Sequence, residues 1–277
     1  MTVLVTGATG NVGRLVVDEL GALGVPVRAL TVDPERAALP DGVEVVVGSL
    51  AKPSTLPGAL EGVEAVYLAP YARTVERFCE LASAAGIRRV VALSGASVGD
   101  THPGSSGHGF AAVEKAVLAA GFDWTFLRPG AFMMNSLGWA YSVREFGEVR
   151  AAYPSAAQTP IDLSDIAAVA AHVLATDGHV GTTYPLSGPE AISLARMAAA
   201  IGDALGKPLP FVELTPEEQL AAWTGAGFPA DIASWLLEMF EKTAVEPEKP
   251  TGVVEDLLGR PGVSYAEWAK ANVAAFS

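Results

Sequence analysis

A single cysteine, Cys79, occurs among 277 residues, so no internal disulfide can form and a reducing compartment is the natural setting. It lies in the apolar helical run FCELA, which points to packing rather than nucleophilic duty. Basic residues are also few, with 18 Lys and Arg against 31 Asp and Glu and a formal charge of −13. Binding to phosphate backbones needs clustered cations, so neither nucleic acid nor an anionic membrane surface is expected as a partner. No apolar run reaches the length of a membrane span, and no basic stretch with an apolar segment and cleavage site opens the chain. A cytoplasmic protein is expected. There is no Ser-His-Asp order, no His/Cys metal-ligand spacing and no Walker lysine, so no metal is expected. Internal repeats and low-complexity linkers are absent too. What is plentiful is apolar residues, half of the total, enough for the core of one large domain with a smaller appended lobe.

The chain is organised around Thr2 to Leu20, TVLVTGATGNVGRLVVDEL. A short β-rich run, Val3-Leu4-Val5, precedes Gly7, Gly10 and Gly13, and an amphipathic helix with Val12, Leu15, Val16 and Leu20 follows. Strand, glycine turn and helix in that order form the context of a dinucleotide site. Gly7 allows the sharp turn, Gly10 leaves the backbone open to a pyrophosphate, and Gly13 lets the helix pack close to the strand. The N–H groups of Asn11 and Val12 at the helix start would hold the phosphates, with the hydroxyls of Thr6 and Thr9 as further donors.

Strands and helices then alternate over the first 130 residues. Strands are expected at 25–31, 43–47, 65–68, 89–94 and 123–127, with helices at 56–60, 74–85 and 110–120. The run VEVVV at 43–47 predicts a strand covered on both faces. The alternation defines an α/β fold, a Rossmann-type doubly wound parallel sheet with right-handed crossovers. Its cleft would be lined past the strand ends, by Thr31, by Ala69, Pro70 and Tyr71, by Ser94, and by Pro129. At the end of the second strand Asp33 favours NAD, whereas Arg36 or Arg14 would serve NADP.

From Phe132 onward the pattern changes. Phe132, Met133, Trp139 and Tyr153 read either as core beneath a long loop or as the wall of a substrate pocket, with Asn135 as a polar contact. Helices are expected at 161–175, 194–205 and 230–243, a short strand at 184–186, and capping boxes at Thr215/Glu218 and Ser264/Glu267. Residues 1–152 therefore form the dinucleotide-binding domain. Residues 153–277 form a smaller, mostly helical C-terminal lobe whose elements interleave with it.

TGATGNVG at 6–13, DWTFLRPGAFMMN at 123–135 and IDLSDIAAVAAHVL with YPLSGPEAIS further on resemble, in motif and spacing, the NmrA-like family, an atypical branch of the short-chain dehydrogenase/reductases. The resemblance spans nearly the whole chain and implies an NAD(P)(H) site. It also implies a contact to the adenine end from Ser49 and Leu50, where many members have GDL. Many members carry Arg just after the second strand for the 2′-phosphate, and Val32 stands there instead. The superfamily's Tyr and Lys, a pair that passes a proton to a carbonyl, correspond to Phe110 and Glu114, while its Ser corresponds to Ser94. Lys115 is one residue out of register and would point to another side of the helix.

The candidates left for proton chemistry are His108, expected in the loop before the helix, together with Ser94 and Tyr153. Hydride transfer to an iminium, a quinone or an activated alkene needs little enzymic acid. The expected function is therefore an NAD(P)(H)-dependent oxidoreductase for a small apolar or aromatic molecule held by Tyr71, His108, Phe110, Phe132, Met133, Asn135, Trp139 and Tyr153. A redox sensor that binds dinucleotide without turnover, or a cyclase or isomerase on the same scaffold, is the alternative. A monomer or homodimer is compatible with the composition.

Overall fold

The computed structural model describes residues 1–277. In chain order the elements are β1 (Val3–Val5), α1 (Asn11–Ala22), β2 (Val27–Thr31), β3 (Glu44–Val47), α2 (Pro57–Leu60), β4 (Ala65–Leu68), α3 (Val75–Ala84) and β5 (Arg89–Leu93). Next come α4 (Gly107–Ala119), β6 (Asp123–Pro129), a 3₁₀ stretch (Met133–Trp139), α5 (Ala140–Phe146), β7 (Val149–Ala151), β8 (Ala157–Gln158), α6 (Leu163–Ala175) and β9 (Thr182–Leu186). The chain closes with β10 (Ile192–Ser193), α7 (Leu194–Leu205), β11 (Phe211–Glu213), α8 (Pro216–Gly225), α9 (Ala230–Val245), α10 (Val253–Leu258) and α11 (Tyr265–Ala271).

Seven strands form one parallel sheet in the order β3-β2-β1-β4-β5-β6-β9, the doubly wound Rossmann arrangement. Alternation along the strands divides the core in two. Val3, Val5, Ala65, Tyr67, Val91 and Leu127 face α1 and α6, whereas Leu4, Val66, Leu68, Val90, Ala92 and Phe126 face α2, α3 and α4. Fully burying one such aliphatic side chain contributes about 1.5–3 kcal/mol, so these two layers supply most of the driving force. Small residues on α6 (Ala167, Ala170 and Ala171) bring it close against the sheet and α1.

The third cluster belongs to the lobe and packs Met197, Ile201, Tyr265, Trp268 and Phe276 around Met133. Two small ribbons frame it, β7 parallel to β11 and β8 antiparallel to β10. Both expected capping boxes form, Thr215 with Glu218 and Ser264 with Glu267. Asp162 caps α6, while Asp165 is fully buried and accepts from Arg260 Nη1 at 2.8 Å and from the Val263 N–H at 2.7 Å. These two bonds tie α6 to the C-terminal segment.

Three expectations are corrected. The 43–47 strand is not covered on both faces. It is the edge strand β3, with Val45 37% and Val47 63% exposed, and only Val46 packs inward. An apolar run alone cannot tell a central strand from an edge strand. The strand expected at 184–186 begins at Thr182 and is the seventh strand of the main sheet, so the sheet layer draws α6 and β9 from beyond residue 152. Finally, α4 begins at Gly107 rather than Phe110, which places His108 in its first turn and not in the preceding loop. Gly107 and Gly109 obscured the start, because glycine is a poor helix former. Gly107 is needed for space, since a Cβ there would strike the Ser97 carbonyl.

Candidate cofactor and substrate site

The strand order reverses between β1 and β4, and the crevice at the carboxyl ends of these strands is where this fold takes its ligands. At one end of the crevice lies the glycine turn. Gly7 has φ +62°, a left-handed conformation that disfavours any side chain, and its own Cβ would come within 3.0 Å of the Ala69 Cβ. A Cβ on Gly13 would land on the Gly7 carbonyl, so α1 can approach the turn only without one. Gly10 is the N-cap of α1 and supplies no side-chain bond. The N–H groups of Asn11, Val12 and Gly13 therefore have no acceptor within the protein. Three free donors with the helix dipole behind them fit a pyrophosphate.

Thr6 has no hydroxyl proton to spare for a phosphate. Its hydroxyl is fully buried, donates to the Tyr67 carbonyl at 3.0 Å and accepts from the Ala69 N–H at 2.8 Å, stitching the ends of β1 and β4 together. Thr9 remains exposed.

Beyond the turn, Thr31 is buried at the end of β2, and its hydroxyl accepts from the Asp33 N–H at 3.2 Å. Asp33 Oδ1 accepts from the Arg36 N–H at 3.3 Å, which leaves the exposed Arg36 side chain free. Arg14 reaches toward the same loop, donating to the Ala37 carbonyl at 3.4 Å and pairing with Asp18 at 3.4 Å. One carboxylate and two guanidinium groups thus gather past the end of β2. Ser49 is pinned through its N–H to Thr55 Oγ1 at 3.0 Å, and the Leu50 carbonyl accepts from Thr74 Oγ1.

The other end of the crevice, past β5 and β6, is built differently. The Ser94 hydroxyl donates to Glu114 Oε1 at 2.6 Å, and Arg128 grips the same carboxylate with both Nε (2.9 Å) and Nη2 (2.6 Å). Ser94 and Glu114 are buried, and a third of the Arg128 side chain is exposed. The hydrogen bond from Arg128 to Glu114 raises the arginine's pKa above its ordinary value, against the opposing effect of burial. Phe110 lies one helical turn before Glu114 on α4. Its ring presses on Gly95, where any Cβ would collide with it. Ser94 is therefore no free proton donor, contrary to its expected candidacy, because its proton is committed to a carboxylate. Lys115 is exposed on a different side of α4. His108 is exposed in the first turn of α4.

The expected substrate residues do not gather as one wall. Met133 is 1% exposed inside the lobe's core, so it is a packing residue and not an open wall, a correction to its expected place. Trp139 and Tyr153 lie half-buried against that same cluster, Phe132 packs against the α1/α6 side, and Asn135 is exposed. Tyr71 is half-buried just past β4, beside Pro70. Tyr153 adopts φ +56°, rare for a residue with a side chain. Burial, with the charges of Glu241 and Glu217 beside it, pushes its phenol above the usual range and makes it a poorer acid. Asn11 Nδ2 lies 3.7 Å from the Met134 sulfur, so the glycine turn and the segment after β6 face each other.

One contributor was missed from the sequence. The loop between β5 and α4 is clasped by α9 of the lobe. Trp235 Nε1 donates to Asp100 Oδ2 at 2.6 Å, His102 Nε2 lies 3.6 Å from Glu238, and Gly104 lies so close to Asp231 that a Cβ would overlap its carbonyl. The His102 N–H, then the Trp235 indole, hold the Asp100 carboxyl below the usual carboxylate range. Ile232, Trp235, Leu236, Leu237, Met239 and Phe240 are all half-buried, an apolar helix with incomplete cover. Its pattern was readable as a helix, but its docking partner lies 135 residues away. Cys79, buried on α3 with its thiol pushed up to about 11 by burial and Glu76, is inert packing as expected. No group of three or more His, Cys, Asp or Glu could hold a metal ion, and no helix is long and apolar enough to cross a membrane.

A doubly wound sheet with free helix N–H groups beside a bare glycine turn defines a dinucleotide-binding protein. The NAD(P)H-binding family model matches residues 7–177, and the chain belongs to that family. The chain is 35% identical over 284 residues to an NAD(P)H azoreductase of Xenophilus azovorans, covering 99% of both. It is 38% identical over 287 residues, again 99% of both, to a (4-alkanoyl-5-oxo-2,5-dihydrofuran-3-yl)methyl phosphate reductase of Streptomyces griseus. An NADPH-dependent quinone oxidoreductase of Escherichia coli solved with NADPH superposes with a TM-score of 0.84 at 26% identity, covering 98% of this chain and 99% of that one. The cofactor is accordingly NAD(P)(H).

Proposed function

We propose that the protein reduces small apolar or aromatic acceptors (an iminium, a quinone or an activated alkene) by direct hydride transfer, without a Tyr-Lys acid pair. The observation that carries this reading is the state of the polar groups past β5. Phe110 and Glu114 stand where the superfamily has Tyr and Lys, and the Ser94 proton is held by Glu114 at 2.6 Å. An ordinary ketone needs a proton delivered as the hydride arrives, whereas a cationic or strongly electron-poor acceptor does not. When bound, the reduced nicotinamide supplies the hydride, and any proton the product needs comes from water.

The chain's own residues hold and shield. Asn11, Val12 and Gly13 would bind the pyrophosphate through their free N–H groups. Asp33, Arg14 and Arg36 would meet the ribose, an acid for a 2′-hydroxyl and two cations for a 2′-phosphate. Ser49 and Leu50 would border the adenine, and Ala69, Pro70, Ser94 and Pro129 would line the crevice between. Tyr71, Phe110, Phe132, Trp139 and Tyr153, joined by Trp235 and Met239 of α9, would exclude water around the acceptor. His108 and Asn135 are exposed polar groups at its rim.

The names of the relatives, reductases of azo compounds, a furanone phosphate and quinones, support electron-poor acceptors over simple ketones. The test is anaerobic mixing of NADPH- or NADH-loaded protein with a quinone, an azo dye and a cyclic iminium, following cofactor absorbance. Oxidation by at least one of them is expected. Tight cofactor binding with no oxidation by any would favour the sensor reading, to which the internally consumed polar groups past β5 also lend support. Conversion of a substrate without change in cofactor absorbance would point to a cyclase or isomerase.

A further inference from the structure

Glu114 and Arg128 form a bidentate ion pair with a buried carboxylate, and the proposed reaction uses neither directly. The two come from different elements, α4 and β6. Every bond to the carboxylate is accounted for: Oε1 takes Ser94 Oγ and Arg128 Nε, and Oε2 takes Arg128 Nη2. A bidentate fork fixes direction as well as distance. One helical turn before Glu114, on the same side of α4, stands Phe110, its ring seated on Gly95. Gly95 belongs to the segment that leaves β5 alongside β6, through Ser94 N–H to the Leu127 carbonyl (2.7 Å) and Ala96 N–H to the Pro129 carbonyl (2.9 Å).

We propose that the Glu114–Arg128 pair is the positioning device of the nicotinamide end of the crevice: it pins α4 to β6 so that the Phe110 ring and the turned-away Ser94 hydroxyl present an apolar floor where a proton donor would otherwise stand. The inference rests on the hydride-transfer reading and adds residues that place the ring without touching the reacting atoms. The pair acts through two others, Phe110 by packing and Ser94 by holding its proton. A shallow shift of α4 would lift the ring from Gly95, and a misplacement of about 1 Å can slow a transfer by about 100-fold. The pyrophosphate hold at the glycine turn depends on none of these residues. The pair should therefore govern the rate of transfer and the environment of the bound ring, and leave cofactor affinity alone.

The test uses the full chain with Glu114→Gln, which keeps shape and removes charge, and with Arg128→Lys, which keeps the charge but loses the two-pronged grip. NADPH titration is read by the emission of the bound dihydronicotinamide, and single-turnover transfer is measured to 1,4-benzoquinone. Expected for Glu114→Gln is an NADPH affinity within about threefold of the parent, a changed bound-state emission and transfer slowed about tenfold. Arg128→Lys keeps the charge but loses the fork, so it should shift the emission in the same direction and slow transfer, by less than Glu114→Gln does. Should Glu114→Gln not fold, Phe110→Leu leaves the ion pair intact and should give the same split. Parental emission and rate in folded Glu114→Gln or in Phe110→Leu overturn the proposal, as does a loss confined to NADPH affinity. If NADPH-loaded parent protein transfers no hydride to 1,4-benzoquinone, the hydride-transfer reading fails on its own, while the emission of the variants still decides whether the pair positions the ring.

Discussion

The two ends of the crevice solve opposite problems. At the glycine turn, backbone donors are left without partners, and side chains are removed wherever they would stand in the way. Past β5, the polar side chains nearest the sheet are consumed, Ser94 by Glu114 and Glu114 by Arg128, with the Phe110 ring seated on Gly95 beside them. One end is bare and wants an anion. The other is satisfied and wants an apolar ring. The difference teaches that binding and proton chemistry, which usually travel together in this superfamily, are built from separable parts. Free N–H groups at a helix start hold charge whatever stands at the other end of the crevice, whereas a proton donor exists only if its neighbours leave its proton unclaimed.

The largest effect should come from filling the bare end. Gly13→Val forces a branched side chain onto the Gly7 carbonyl. Overpacking of this kind costs about 1–3 kcal/mol, and displacing the turn by that energy would weaken NADPH binding by up to about 100-fold, read by fluorescence titration and thermal unfolding. Breaking the satisfied end should cost stability first. Glu114→Ala leaves Arg128 without its partner, and urea unfolding should show a loss of about 3 kcal/mol, the low end for a buried pair because Arg128 keeps a third of its side chain in water.

A smaller effect is expected at the clasp between the two regions. Trp235→Phe removes the bond to Asp100 while keeping an aromatic ring, so KM for the acceptor should rise a few fold with kcat nearly unchanged. Because folding lowers the Asp100 pKa, the clasp contributes above the ordinary carboxylate range and is lost as pH falls through that lowered value. The difference in acceptor KM between the parent and Trp235→Phe should accordingly persist at neutral pH and be lost only as pH falls below the ordinary carboxylate range. The smallest effect is a control on the core. Tyr67 is fully buried, its hydroxyl has no partner, and burial raises its pKa above the usual phenol value. Tyr67→Phe should be neutral or stabilise by up to about 1 kcal/mol, whereas removal of a satisfied hydroxyl would destabilise.

Much of the fold was readable because local chemistry dictates it. The Gly7-Gly10-Gly13 spacing, the alternating strands, the ends of α7 and the two capping boxes all depend on residues within a few positions of one another. β3 escaped because edge and centre differ only in what lies beside them. β9 was seen as a strand, but its place in the main sheet depends on pairing with β6 more than fifty residues earlier. In the site, the turn was readable for the same local reason. The fate of Ser94 was not, since its partner is 20 residues away and that partner's partner lies on another strand. The resemblance set Glu114 against the superfamily's lysine, but gave no sign that its carboxylate would claim the serine's proton. Thr6 failed in the same way, as its hydroxyl bridges to a strand 61 residues on.

The most direct test of the account is single-turnover transfer from NADPH-loaded protein to a quinone across about pH 6 to 9. A site with no protein acid predicts that the observed rate changes by less than about threefold over that range, with full oxidation of the bound cofactor. A rate that falls about tenfold per pH unit on one limb would reveal an ionising protein group in the hydride step and would contradict it.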